Sequence, residues 1–241
     1  MIRKLQTAAL ALLLGAAPAL AQDKILNVSY DVGREVFAAL NPEFQGFWKG
    51  KSGHEVTIDQ SHAGSSKQAR AILEGLPADV VTFNQETDVD VLATNGLVAE
   101  NWREALPNGA SPFYSLPAFL VRKGNPKGIA AQYVDQGYET VTPSTSIFAA
   151  FPVAVVAENA KNSGSTEVST AYLNWLYAPE AQEILASHNY RATDKTVAER
   201  HAADFPAVKL YTVEEVFGGW DKVQAEHLAE GGILDRVFVN Q

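Results

Sequence analysis

The chain has 241 residues, 46% of them hydrophobic, no cysteine, and a formal net charge of −9. That length and apolar content suffice for a sizeable core in one domain or two small ones. The negative charge disfavours nucleic acid and anionic membrane surfaces as partners, and the lack of cysteine excludes a small disulfide-stapled scaffold.

The first residues read as a secretory signal. Arg3 and Lys4 supply a basic start, "AALALLLGAA" an apolar run and "ALAQ" a small-x-small processing site, so residues 1–21 are expected to be cut off after Ala21. The run is short for a membrane anchor, which needs about 20 apolar residues. Removing Arg3 and Lys4 takes the net charge from −9 to −11. No later stretch is apolar for long enough to cross a bilayer, so the expected location is the periplasm, without stable membrane insertion.

In chain order, "ILNVSY" (25–30) reads as a strand. The segment 34–48 places Val36, Phe37, Leu40, Phe44, Phe47 and Trp48 at helical spacing, with Pro42 expected to kink or restart the helix after Asn41. "EVTID" (55–59) is a strand, "QSHAGSS" (60–66) a loop, and a helix follows with Ala69, Ile72, Leu73 and Leu76 on its buried face. "ADVVTF" (78–83) is a strand and 87–96 a helix ending at Gly96. Residues 115–126 and 151–159 read as buried strands. Residues 166–188 form two helical segments divided at Pro179, with Tyr172, Leu173, Leu176 and Tyr177 on one side of the first and Ile184 and Leu185 facing inward on the second. Thr212 and Glu215 make a capping box for a last helical region. Strand–helix alternation of this kind implies an α/β fold with a mostly parallel sheet flanked by helices, and ligands at the carboxyl ends of its strands.

One such end is "DQSHAGSSKQAR" (59–70). Small residues lead into a helix with Ser65 or Ser66 as N-cap, and the first backbone N–H groups of a helix have no partner within it. Gly64, Ser65 and Ser66 thereby outline a cradle for an oxyanion. Helices capped by serine are common, and most hold only water. His62 is the one candidate for a general base, although a lone loop histidine is usually a plain polar residue. Asp88 and Asp90, two apart on a helix, do not share a face and read as solvated surface. The histidines lack metal-ligand spacing, and the chain has no nucleophile elbow, P-loop or dinucleotide fingerprint. Neither an enzyme nor a cofactor or metal is expected.

"LNVSYD" (26–31), "DQSHAGSSKQAR" (59–70), "ADVVTFNQETDVDVLA" (78–93), "FLVRKGNPKGI" (119–129), "YLNWLYAPEAQEI" (172–184) and "LYTVEEVFGGW" (210–220) closely resemble, in this order, the periplasmic sulfate-binding proteins, the solute receptors of ABC-type sulfate and thiosulfate importers. The resemblance spans nearly all of the chain after residue 21. It implies a type II periplasmic binding protein fold of two α/β lobes, with dehydrated sulfate or thiosulfate held between them by neutral donors. Ser65 matches a donor through its backbone N–H, and Asp31 a cleft residue after the first strand that orients local donors. Ala63 stands where the family usually has glycine, a mild change if its φ is negative. Membrane permease subunits are the implied protein partners. Molybdate and tungstate stay open as ligands beside sulfate and thiosulfate. Phosphate fits less well, because neutral donors offer no acceptor for its proton.

The chain also departs from the family pattern. After "RKGNPKGI" it passes almost at once to a segment matching the return from the second lobe, so a lobe of roughly a hundred residues is expected to be missing. Residues 22–129 and 150–241 then form lobe one, and 130–149 a short remnant joining the two crossing segments. No stretch supplies the second lobe's donors, and Trp220 belongs to the C-terminal motif. The implied function is a solute-binding protein for sulfate or thiosulfate with impaired affinity. The alternative is a stand-alone lobe serving as an interaction module or a non-functional truncated paralogue.

Overall fold

The computed structural model describes residues 23–122, 133–135 and 138–239. The expected signal (1–21) and most of "RKGNPKGI" lie outside these residues. The chain opens with three strand–helix units: β1 (Asp23–Tyr30) and α1 (Arg34–Ser52), β2 (Val56–Ala63) and α2 (Ser65–Leu73), β3 (Val80–Thr82) and α3 (Glu86–Thr94). In the sheet β1 lies between β2 and β3, parallel to both, and the strand Val153–Val155 joins β3 antiparallel at the far edge. Alternation along the strands divides the core into two faces. Ile25 and Val80 face α1 and the helices Thr166–Trp175 and Pro179–Ser187, with Phe37, Leu40, Phe44, Tyr172, Leu173, Leu176 and Leu185 filling the layer. Val28 and Val81 face α2 and α3, with Ala69, Ile72, Phe83, Val89 and Leu92. The expected α/β architecture, with its mostly parallel sheet and flanking helices, is therefore present.

Several local expectations are corrected. The helix α1 runs unbroken through Pro42, because Ala38 and Pro42 both lie on its exposed side, where water can satisfy the carbonyl that proline leaves free. Phe47 falls just outside the buried stripe and is exposed, as is Leu73 on α2. Residues 60–63, read as loop, are strand: β1 is long enough to pair each of them, from Asn27 opposite Gln60 to Tyr30 opposite Ala63. Ala63 is absent from the residues with positive φ, so alanine carries no backbone strain there. The stretch 151–159 is strand only at Val153–Val155, and a helix begins at Ala157. The stretch 115–126 holds the end of a strand, Phe113–Ser115, and a separate one, Phe119–Arg122.

Beyond this core the strand Phe119–Arg122 pairs antiparallel with Tyr138–Val141, which in turn pairs with Tyr133–Asp135. Next, Thr145–Ile147 pairs with Lys209–Tyr211 and so anchors the C-terminal helical segment. The Thr212–Glu215 capping box forms as expected. The segment buries little, and Val216, Leu228, Ile233, Leu234 and Val237 are all exposed. Among the described residues no helix is long and apolar enough to cross a membrane.

Candidate functional site

The parallel register brings three chain exits to one level. Ser29 lies opposite both His62 and Thr82, so Asp31, Gly64 and Asn84 leave β1, β2 and β3 side by side, each just ahead of a helix. Their opening amides carry the positive ends of three helix dipoles.

At the exit of β2, the cap of α2 is Gly64 rather than Ser65 or Ser66. Its φ and ψ are −58° and 137°, and its carbonyl accepts the first helical hydrogen bond, from Gln68 N–H at 3.0 Å. The amides of Ser65, Ser66 and Lys67 therefore open the helix without a partner inside it. A methyl group added at Gly64 would meet nothing within 4 Å, so the space beside the helix cap is open.

The serines do not cap because their hydroxyls bind elsewhere. Ser65, which is buried, donates from Oγ to Asn84 Oδ1 at 2.7 Å and accepts from Asn84 N–H at 3.0 Å. Ser66 Oγ donates to Asp88 Oδ2 at 3.2 Å. Asp88 is accordingly buried between α2 and α3, which corrects its reading as solvated surface, and burial pushes its carboxyl above the usual carboxylate range against the bond from Ser66. Asp90 does lie on the other side of α3, where Arg103 holds it with two hydrogen bonds of 2.6 and 2.8 Å. At the first exit Asp31 is exposed, and its Oδ1 accepts Val32 N–H at 3.0 Å.

His62 lies in β2 rather than in a loop. Its Nδ1 stands 2.6 Å from Ser29 Oγ. Burial and the Arg34 guanidinium hold its pKa below the usual imidazole range, opposed by Asp31. A nucleophilic dyad would need His62 against Ser65, but Ser65 is bonded to Asn84. Ser29 is completely buried and cannot meet a substrate. Among the described residues no group of three or more acidic or histidine side chains could hold a metal ion.

Sequence reasoning missed Asn84 and Gln68. Asn84 holds the third exit to α2, and Gln68 fixes the next turn of the helix to Ser61 on β2, with Nε2 to Oγ at 3.0 Å. Asn84 carries a faint signal, since it follows the strand "VVT" and precedes the acidic first turn of α3.

Comparison with known proteins places this arrangement. The profile of the bacterial extracellular solute-binding proteins matches residues 27–134. The thiosulfate-binding protein of Escherichia coli (strain K12) is 36% identical over 307 positions, covering 89% of this chain and 91% of that protein. The chain belongs to the sulfate- and thiosulfate-binding protein family. The sulfate-binding protein of the same organism is 33% identical over 319 positions, covering 95% and 97%. Among solved structures, the sulfate-binding protein SubI from Mycobacterium tuberculosis H37Rv superposes with a TM-score of 0.69 at 22% identity, over 84% of this chain and 98% of that one. Within this family the three exits lie where an open α/β sheet receives its ligand. Both alignments to the Escherichia coli members are longer than the chain itself, so each holds a long gap on this side.

Proposed function

We propose that this chain is an extracytoplasmic receptor for sulfate or thiosulfate, serving an ABC importer, reduced to one lobe and therefore weak in binding. The observation that carries it is the helix start at Gly64, Ser65 and Ser66, which presents the amides of residues 65–67 level with Asp31 and Asn84. The lobe comprises residues 22–129 and 150–241, with 130–149 as the remnant between its crossing segments. Two observations support the loss of the second lobe: alignments longer than the chain, and a C-terminal segment anchored beside that remnant whose apolar side chains lack cover. The periplasm is the compartment, consistent with the apolar leader, and the importer's permease subunits are the protein partners.

Hydrogen bonds to a charged group contribute about 1.5–3 kcal/mol each. Losing three donors from a second lobe weakens binding by roughly a thousandfold or more. Calorimetric titration of the chain with sulfate and thiosulfate is expected to give millimolar dissociation constants. A micromolar constant would refute the reduced-lobe reading. The place of the anion is tested separately by Gly64→Ala. The added methyl meets no protein atom, so the fold should be unchanged while binding weakens further. Equal binding by the variant would move the anion away from Gly64.

A further inference from the structure

We propose that Asn84 is a positioning residue of the anion cradle, fixing the aim of the opening amides of α2 through the Ser65 hydroxyl. This rests on the receptor reading above. A helix start is ordinarily braced by its capping side chain, and here there is none: the cap is Gly64, and the space where a Cβ would stand is empty. Glycine also leaves the backbone at that point freer than any other residue would. The first turn of α2 must therefore be held by the residues that follow.

Ser65 supplies the hold. Its single hydroxyl proton goes to Asn84 Oδ1 at 2.7 Å, and one of its oxygen lone pairs takes Asn84 N–H at 3.0 Å. The two bonds form a closed pair, in which both the side chain and the backbone of Asn84 grip one oxygen. The oxygen is buried, so water does not compete with it as it would at the surface. Ser66 adds a second tie to α3, through Asp88 at 3.2 Å, and Gln68 a third to β2, one turn further on. Only the Asn84 tie reaches the first residue of the helix.

Two consequences follow for the anion. The Ser65 hydroxyl proton is already committed, so Ser65 can present only its backbone N–H to a ligand. The direction of that N–H depends on the exit of β3, a different strand from the one that leads into α2. The cradle is thus a joint product of the second and third strand–helix units, and its geometry is set from outside the "SHAGSSKQAR" motif.

A double-mutant cycle tests this. Sulfate is titrated into isotope-labelled wild type, S65A, N84A and S65A/N84A, following the backbone amide signals of residues 65–67, with thermal midpoints measured alongside. Each single variant is expected to weaken sulfate binding on the order of tenfold, and the double variant no more than either single one, as coupling through one contact requires. Ser65→Thr keeps the hydroxyl and should bind within about twofold of wild type. Thermal midpoints that fall without any change in sulfate affinity would assign Asn84 a purely structural role and overturn the proposal. Additive losses would overturn it too, because Asn84 would then act by another route. If N84A does not fold, S65A against S65T decides: equal affinity in those two removes the Ser65 hydroxyl from the site. Wild type with no saturable shift at residues 65–67 overturns the receptor reading itself, whereas wild-type binding matched by N84A overturns only the role of Asn84.

Discussion

The helix α1 and the C-terminal helices draw on similar side chains and use them differently. In α1, Val36, Phe37, Leu40, Phe44 and Trp48 are sealed between the sheet and the later helices, and the Phe44 ring meets Tyr172 edge-on at 4.9 Å and Trp175 at 5.6 Å. After Thr212, Val213 is the one hydrophobic residue counted as buried among those described, while Leu228 and Val237 stand about half exposed at 47% and 51%. Both regions carry good local helix signals, down to the Thr212–Glu215 capping box. Local signals therefore specify a helix whether or not there is anything for it to pack on. What separates the two regions is the presence of an opposing layer, and for the C-terminal segment that layer is the lobe we propose to be missing.

Four substitutions sharpen or break this contrast. Phe44→Ala should cost the most, about 3–5 kcal/mol by chemical denaturation, since it opens a cavity among aromatic rings. A loss below about 1 kcal/mol would mean that the α1 layer is no better packed than the C-terminal segment. Thr212→Ala removes a cap typically worth about 1 kcal/mol. Hydrogen exchange should quicken at residues 213–217 while the global denaturation midpoint stays in place, and a falling midpoint would show the segment to be part of the main cooperative unit.

Asp88→Asn probes the contact between α2 and α3. Burial raises the Asp88 pKa, so the folded state holds this proton more tightly than the unfolded chain does. The resulting stability is fully present below the unfolded carboxylate value of about 4 and is lost as pH rises through the higher folded value. The variant keeps an oxygen for Ser66, so its thermal midpoint should exceed that of wild type at pH 7 and match it near pH 3. A lower midpoint at pH 7 would mean that the charged Ser66–Asp88 bond outweighs the burial. Val237→Ser should have the smallest effect on stability, within about 0.5 kcal/mol, yet reduce binding of a hydrophobic dye. Unchanged dye binding would show that this face is already covered in solution.

The main lines of the fold were legible because periodicity is a local property. Five of the six apolar positions chosen on α1 are buried; Phe47 escaped because the edge of a stripe is set by the neighbouring helix rather than by spacing. The length of β2 was not legible, since residues 60–63 are small and polar and become strand only through β1. At the site, the small residues ahead of a helix start pointed to Gly64, Ser65 and Ser66, the family resemblance to Ser65 and Asp31, and the exits of the strands followed from the topology. The helix cap was misassigned because serine preference at such positions is statistical, and here both hydroxyls found partners about 20 residues away in sequence, Asn84 and Asp88. The spacing of Asp88 and Asp90 correctly put them on different faces, but only the packing of α2 against α3 decides which face is covered.

The main hydrophobic layer joins residues from Ile25 to Val56 with residues from Val168 to Tyr190. Segments so far apart must close a long loop before their contacts repay the lost entropy, which slows folding. A chain emerging amino end first would display Phe37, Phe44 and Trp48 without cover until the helix at Thr166 has followed.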